Sequence, residues 1–162
     1  MADDFDFEAP YEPNQVPGDK EVIRQYCQSP VNGRVEWIMA EVRPRHLHAG
    51  KDVTDEMEDY VFEQCEKELT PRDEVELIIH STIGGDGSLF YNVFPQGSTF
   101  DREKYDSAVE SLVFHSVKNT GKPAFVTVKF AFKTPSTMKP YKVFWRVETS
   151  DGNCIEDYSL NA

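Results

Sequence analysis

In this 162-residue sequence, the side chains best suited to catalysis are concentrated in one segment, 78–96. There His80 ends an apolar run, Gly84-Gly85 follows, and Asn92 stands just before a Pro-Gln pair. Paired glycines favour a tight loop, because only glycine adopts positive φ freely. The segment therefore places an imidazole and an amide on either side of a loop. It contains either the catalytic groups themselves or only the scaffold that would hold them.

Histidine and cysteine spacing argues against a zinc site elsewhere in the chain. His46 and His48 form a His-x-His pair, but no carboxylate or cysteine stands at ligand spacing, so a basic loop is expected there. The cysteines are widely spaced and include no Cys-x-x-Cys pair, which favours free thiols in a reducing compartment. They are Cys27, Cys65 and Cys154.

The negative charge of the chain is unevenly distributed. The net charge is -12, and residues 1–76 carry 8 Lys or Arg against 20 Asp or Glu, whereas residues 77–162 carry 9 of each. Nucleic-acid affinity depends largely on a basic face. An acidic half therefore argues against direct nucleic-acid binding and suits a basic protein partner. Simple solubility is the alternative explanation.

Residues 1–30 predict an acidic, flexible N-terminal tail, because they contain four prolines and no helical apolar stripe. Aromatic side chains alternate with acids in it, a pattern that can dock on basic, apolar grooves of partners. Packing of these aromatics on their own domain is the alternative. The aromatics are Phe5, Phe7 and Tyr11.

Targeting signals are not predicted. The first residues have neither a basic segment nor an apolar run of signal-peptide type, and no apolar stretch is long enough to cross a bilayer. We therefore expect a cytoplasmic or nuclear protein without membrane contact.

Residues 31–162 predict a single α+β domain with a mainly antiparallel sheet and two principal helices. Alternating apolar residues predict strands at 33–43, 74–80, 124–133, 141–148 and 154–158. An apolar stripe predicts the first helix at 52–69, and Asp101 is a good N-cap for a second at 101–119. The first helix is acidic on its outer faces, where candidate partner contacts are Glu56, Asp59, Glu63 and Glu66.

From Gly33 to about Glu148 the chain resembles the DNA/RNA non-specific endonuclease family, which uses the ββα-metal nuclease fold. The motifs that carry the resemblance are the Gly-Gly loop in STIGG and the segment YNVFPQ, which matches Asn-x-x-Pro-Gln at Asn92. STFDREKY falls where the family's helix begins, and KPYKVFWRVET is similar to the strand that closes such domains.

The resemblance implies a histidine base that activates water and an Asn at the helix start that binds a divalent metal, usually magnesium. It also implies a supporting Glu further along the helix. Aligned on the Gly-Gly loop, these positions fall at Leu77, Asp101 and Val109, with Glu110 one residue beyond the last. Leucine cannot accept a proton, whereas Asp101 could still hold magnesium.

The leading prediction is therefore a catalytically inactive pseudo-nuclease that is not an enzyme and needs no cofactor. It would act as a protein-binding module for a basic partner, as an inhibitor, an antidote or a scaffold. Its contact surfaces would be the acidic helix and the tail. A homodimer formed through the sheet or the second helix is a further alternative.

Two alternatives remain open. One is an active magnesium-dependent endonuclease of altered register, with His80 as base, Asn92 and Asp101 near the metal, and Glu110 in support. On a regular strand His80 faces the side opposite to Leu77, so this reading requires an irregularity such as a bulge. The other alternative is an acidic nucleic-acid mimic whose carboxylates imitate phosphate spacing.

Overall fold

The computed structural model describes residues 5–162, which form a six-stranded sheet, a separate β-hairpin and two helical segments. Strands follow the order β1-β2-β3-β6-β7-β8, and every neighbouring pair is antiparallel. This confirms the predicted α+β class and mostly antiparallel sheet. The strands are β1 (Asn14–Gln15), β2 (Ile23–Gln28), β3 (Val35–Val42), β6 (Ala124–Ala131), β7 (Lys142–Glu148) and β8 (Cys154–Leu160), with β4 (Glu74–Leu77) and β5 (Val93–Gln96) forming the hairpin.

The central strands follow the alternation that the sequence predicts. In β7, Val143, Trp145 and Val147 are buried on one face, while Phe144 and Arg146 lie on the other. Side chains at every second position share a face of a sheet, so one face of β7 enters the core.

The N-terminal segment differs from the predicted tail. β1 and β2 lie before residue 30, and β2 pairs with β3 from Ile23↔Ala40 to Gln28↔Val35. The register shifts at two places along β2, which disrupts the two-residue alternation by which a strand is recognised in sequence. The domain thus includes residues that the sequence predicts to be tail. Residues 1–4 of the predicted tail lie outside the described part of the chain.

The first helix, α1 (Asp55–Cys65), is shorter than predicted at both ends. It begins after Thr54, whose side-chain oxygen accepts a hydrogen bond from the Met57 backbone N–H at 3.2 Å. This bond satisfies one of the backbone donors that a helix start leaves free.

The second helix runs continuously from Arg102 to Thr120 but changes type along its length. It is α-helical in α2 (Arg102–Asp106), π-helical over Ser107–Leu112, and α-helical again in α3 (Val113–Thr120). Asp101 is its N-cap, as predicted, since its carboxylate accepts from the Lys104 N–H at 3.1 Å. A π turn holds one more residue than an α turn and is often found at functional sites.

Two apolar clusters position the hairpin between the helices. The larger lies between the six-stranded sheet and the second helix, where Tyr105 and Trp145 are fully buried and their ring centroids are 5.1 Å apart. The smaller joins α1 to the hairpin and contains Val61, Cys65, Val75, Leu77 and Val93. The hairpin and second helix together form a ββα unit on one face of the large sheet.

Among the described helices, none combines the length and apolarity that a membrane span requires.

Candidate active site

The loop that carries His80 begins where β4 ends. Ile78 and Ile79 bend away from the strand and are buried in the larger cluster, and a short 3₁₀ turn spans Ser81–Ile83. Gly84 ends the turn at φ 97°, in the left-handed region. A Cβ at Gly85 would lie 1.7 Å from the Ile79 carbonyl oxygen, so this close approach of backbone to backbone requires glycine.

Asn92 fixes the base of this loop. Its Oδ1 accepts from Ile79 N–H at 2.7 Å, and its Nδ2 donates to the carbonyl oxygens of Ile79 at 3.1 Å and Asp86 at 3.3 Å. The residue has no exposed surface. Its amide is therefore fully used in hydrogen bonds to the backbone. The structure thus gives Asn92 a different role from the predicted one near magnesium.

His80 and Glu110 come together although they are thirty residues apart in sequence. His80 Nδ1 lies 3.2 Å from Glu110 Oε2, and both side chains are about one-third to one-quarter exposed, at 32% and 26%. Thr82 Oγ1 donates to the same Glu110 oxygen at 2.6 Å, which fixes the carboxylate. The structure thus brings His80 and Glu110, two residues of the active-enzyme alternative, into contact.

The Nδ1 atom of His80 lies near both a hydrogen-bond donor and a hydrogen-bond acceptor. The Thr82 backbone N–H lies 3.1 Å away as a donor, and Glu110 lies on the acceptor side. When Nδ1 carries the proton and donates to Glu110, the lone pair on Nε2 is free to act as a base. This is the base-plus-carboxylate arrangement used in acid–base catalysis.

The π turn explains why Glu110, and not Val109, lies beside His80. The family resemblance places the supporting acid at Val109, but Val109 is buried with 1% exposure in the core. The extra residue in the π turn shifts the helix register by one, so Glu110 faces the loop of His80.

Three charged residues of the second helix follow at intervals of four, which places them on one face near the hairpin and loop. They are Arg102, Asp106 and Glu110. Arg102 Nε lies 3.0 Å from Asp106 Oδ1, and its Nη1 donates to the Leu77 carbonyl and to Gln96 Oε1, both at 3.2 Å. Arg102 therefore connects the helix to both strands of the hairpin.

Glu76 is a half-buried carboxyl beside this charged face. Burial raises the pKa of Glu76 above its ordinary value, and the nearby Arg102 charge opposes part of that rise. His80 also acts on it electrostatically. A titratable group perturbed by burial next to a charged partner is typical of functional sites, although ion-pair networks produce the same effect.

Leu77 does not face this site. It is 5% exposed and packs in the smaller cluster against α1, together with Val75 on the same face of β4. The opposite face of the hairpin is the one directed at the second helix, and His80 lies on that side. His80 therefore lies on the side that a regular strand predicts, and the bend at Ile78 and Ile79 does not bring it to the side of Leu77.

Asp101, the position at which the resemblance implies a metal, lies at the start of the second helix. The Asp101 carboxylate caps the second helix, and about nine residues of helix, or roughly 13 Å, separate it from Glu110. Among the described residues, no three His, Cys, Asp or Glu side chains are grouped so that they could hold a metal ion.

A basic loop borders His80. Residues 43–51 contain two Arg, one Lys and two His with no acid, as predicted, and His48 N–H donates to the Thr82 carbonyl at 2.8 Å. His48 has φ 61°, an unusual backbone conformation for a non-glycine residue. A cleft of ≈ 340 Å³ opens there, lined by His48, Thr82, Glu110, Ser111, Phe114 and His115.

The predicted partner-binding residues fall into two groups. The acids Glu56, Asp59 and Glu63 are exposed on α1, and Glu66 is exposed directly after it. The aromatics instead pack on their own domain, which is the alternative that the sequence left open. Phe5 stacks on Phe144 with centroids 3.6 Å apart, Phe7 is 4% exposed, and the Tyr11 hydroxyl donates to Glu36.

Comparisons with known proteins give similarity at the level of structure. No family model matches the sequence, and no curated protein is similar to it by sequence. A crystal structure of NucA from Streptococcus agalactiae with no metal bound aligns with a TM-score of 0.57 at 11% identity, over 98% of this chain and 74% of that one. A structure of Sda1 nuclease with a bound zinc ion aligns with a TM-score of 0.54 at 12% identity, over 86% and 74%.

The chain has a nuclease-like fold. At these identities, the likeness establishes the fold and not the reaction. Both neighbours are nucleases by name, however, and this contradicts the prediction that the chain is not an enzyme. That prediction was wrong because it treated Leu77 as the position of the base, whereas the structure directs Leu77 at α1 and His80 at the second helix.

Several site residues escaped the sequence reasoning. Thr82, Arg102, Asp106 and Glu76 showed no motif of their own, and their roles depend on contacts across the ββα unit. The four-residue spacing of Arg102, Asp106 and Glu110 is the one signal in the sequence that could have indicated a shared helix face.

Proposed function

We propose that the chain hydrolyses phosphodiester bonds in nucleic acid, with His80 as the general base and Glu110 as the residue that positions it. The observation that supports this proposal is the 3.2 Å contact between His80 Nδ1 and Glu110 Oε2 at the edge of an open cleft. The nuclease-like fold and the neighbouring basic loop make a phosphodiester the substrate class to test.

The reaction can be written with the residues present. In the tautomer with the proton on Nδ1, His80 donates to Glu110 and no longer accepts from the Thr82 N–H, and the Nε2 lone pair is directed away from the carboxylate. Nε2 removes a proton from water, the oxygen of that water attacks phosphorus, and the ester P–O bond breaks. The proton on His80 then passes to the leaving oxygen, which regenerates the neutral base.

The charge distribution limits how nucleic acid could bind. The acidic α1 repels phosphates, whereas the loop 43–51 beside the cleft offers cationic side chains. Two of them, Arg43 and Arg45, are already paired with Glu41 and Asp19. We therefore propose a substrate that reaches the cleft over the basic loop and avoids α1.

The test is a cleavage assay on single- and double-stranded DNA and RNA, in magnesium, in manganese and in EDTA. His80→Asn is the main variant, because asparagine can keep the N-cap bond from the Thr82 N–H but cannot act as the base. We expect cleavage to fall by about 10²–10⁴-fold, the usual worth of a general base. Glu110→Gln should cause a smaller loss.

The matched control is Glu103→Gln, which removes an exposed carboxylate from the same helix. It should leave cleavage unchanged. Wild-type protein that cleaves none of these substrates, or that keeps full activity as His80→Asn, would refute the proposal.

A second candidate function, binding of a basic protein partner, is supported by α1. Its acids Glu56, Asp59 and Glu63 and the adjoining Glu66 are exposed, and none takes part in the ion pairs found between described residues. Such a partner could be an inhibited nuclease, a scaffolded complex or a nucleic-acid-binding protein for which the acids mimic phosphates. Binding to purified basic proteins should weaken with salt and be lost when all four acids become glutamine; affinity that survives both changes would exclude this role for α1.

A further inference from the structure

Thr82 contacts both members of the His80–Glu110 pair. Its Oγ1 donates to Glu110 Oε2 at 2.6 Å, and the same Oγ1 lies 3.1 Å from His80 Nδ1. Its backbone N–H also lies 3.1 Å from His80 Nδ1. One threonine therefore presents a hydroxyl and a backbone donor to the ring nitrogen that faces the carboxylate at 3.2 Å.

These two groups of Thr82 favour opposite tautomers of neutral His80. A hydroxyl has one proton to donate and two lone pairs with which to accept. Because that proton is given to Glu110, the oxygen offers only lone pairs to the ring and can accept from an Nδ1–H. The backbone N–H can only donate, so it requires a lone pair on Nδ1 and places the ring proton on Nε2. In that second tautomer, Nε2 cannot take a proton from water.

The number and the charge of the acceptors favour the Nδ1–H tautomer. Two acceptors lie within reach of an Nδ1–H, the Thr82 hydroxyl and the Glu110 carboxylate, whereas the opposite tautomer gains one bond from a neutral backbone donor. Hydrogen bonds to a charged group are about twice as strong as neutral ones. The balance therefore depends on the position of the partly exposed Glu110 side chain. Among the described residues, the Thr82 hydroxyl is the one donor besides His80 that is bonded to it.

We propose that Thr82 is the positioning residue that selects the base-competent tautomer of His80. Its hydroxyl holds the Glu110 carboxylate against Nδ1 and accepts from Nδ1–H itself, so the proton stays on Nδ1 and the Nε2 lone pair stays available. Without the hydroxyl, Glu110 is free to turn to solvent, and the backbone N–H of Thr82 then favours the other tautomer. The tautomer part of this inference stands on the contacts alone, whereas its consequence for cleavage rests on the proposed function.

Nitrogen NMR of the imidazole ring reads the tautomer directly, because protonated and unprotonated ring nitrogens differ in chemical shift and in coupling to the ring hydrogens. Spectra of isotope-labelled protein are recorded at about pH 8, where histidine is ordinarily neutral. The chain has four histidines, and the signals missing from His80→Asn assign those of His80. In wild type we expect the ring proton on Nδ1.

Thr82→Val removes the hydroxyl with little change of shape, and Thr82→Ser keeps it. In Thr82→Val we expect the ratio of the two His80 tautomers to move towards Nε2–H by about 10–100-fold, the usual worth of a hydrogen bond to a charged group. The kcat for cleavage should fall by up to the same factor, because only the Nδ1–H form acts as the base. Thr82→Ser should restore both the tautomer ratio and kcat.

The matched control is Ser81→Ala. It removes a hydroxyl from the same 3₁₀ turn, but this hydroxyl donates to Asp52 at 3.0 Å and not to the histidine or its carboxylate partner. The tautomer of His80 and kcat should both stay as in wild type.

Each outcome decides the proposal. A wild-type ring with its proton mainly on Nε2 overturns it, and this spectrum needs no variant, so the test holds even where Thr82→Val does not fold. An unchanged tautomer ratio in folded Thr82→Val also overturns it, as does a change that Thr82→Ser fails to restore.

Failure of the proposed function gives a different result. A tautomer that depends on the Thr82 hydroxyl, in a wild-type protein that cleaves no nucleic acid, supports the positioning role and refutes the proposed reaction. Cleavage that is lost in His80→Asn but kept in full by Thr82→Val supports the reaction and refutes the positioning role.

Discussion

Substitution of Asn92 by aspartate distinguishes a structural amide from a metal ligand. The amide makes three hydrogen bonds and is fully buried, and two of the three are donated by Nδ2 to backbone carbonyls. Aspartate has nearly the same shape but cannot donate when ionised. Its second oxygen would then face the carbonyl oxygens of Ile79 and Asp86 in a site closed to water.

The cost follows from the protonation state of the new carboxyl. An uncompensated buried charge costs about 3–5 kcal/mol of unfolding free energy. Protonation of the carboxyl reduces this to the cost of one or two poorly matched hydrogen bonds, about 1–3 kcal/mol. At about 2–4 °C per kcal/mol for a domain of this size, we expect Asn92→Asp to unfold roughly 6–20 °C below wild type at neutral pH.

Urea unfolding followed by tryptophan fluorescence at pH 7.5 and pH 5 measures the loss of unfolding free energy, and thermal unfolding measures the shift in temperature. The gap between Asn92→Asp and wild type should narrow at the lower pH, where more of the new carboxyl is protonated. Asn14→Asp is the control, since Asn14 is exposed in β1 and its substitution should change stability by less than about 0.5 kcal/mol. Near-wild-type stability of Asn92→Asp, together with added stability in magnesium, would refute the structural role and favour a ligand.

Two further predictions concern the same region and the loop beside it. Tyr105→Phe removes a buried hydroxyl that donates to the Ile78 carbonyl at 2.5 Å, and the unpaired carbonyl should lower the unfolding free energy by about 1–3 kcal/mol in urea titrations; an unchanged midpoint would show that this bond contributes nothing. Burial lowers the pKa of His46, whose Nδ1 accepts from the Arg43 N–H at 2.9 Å, so the folded state binds fewer protons than the unfolded state. Stability should therefore be retained above the unfolded pKa of about 6.5 and be lost as pH falls below it, and His46→Gln should remove this part of the pH dependence; identical profiles for variant and wild type would contradict the assignment.

Local sequence pattern was sufficient for those elements whose environment is regular. The strand β7 alternates buried and outward residues throughout, and β6 does so except at the buried Thr127. The predicted N-cap Asp101 is bonded to a backbone N–H group three residues on. In these places the information lies within a few residues, because periodicity and capping are short-range effects. The α+β class followed from the order of such elements.

Irregular elements could not be found in this way. Residues 23–28 are predicted as part of a tail because prolines surround them and no apolar stripe is present. The register shifts of β2 break the alternation that would have indicated a strand. The π turn over Ser107–Leu112 likewise has no signature in the sequence.

The amino-acid sequence alone supplies the residue types available for chemistry: one histidine after an apolar run, an Asn before Pro-Gln, and a helix with acids at regular intervals. Tertiary structure decided which of them meet. Leu77 faces α1 because it fills the smaller cluster, Asn92 is committed to the backbone, and the π turn brings Glu110 to His80. These contacts join residues far apart in the chain, so they depend on the packing of the hairpin between two helices and not on any local pattern.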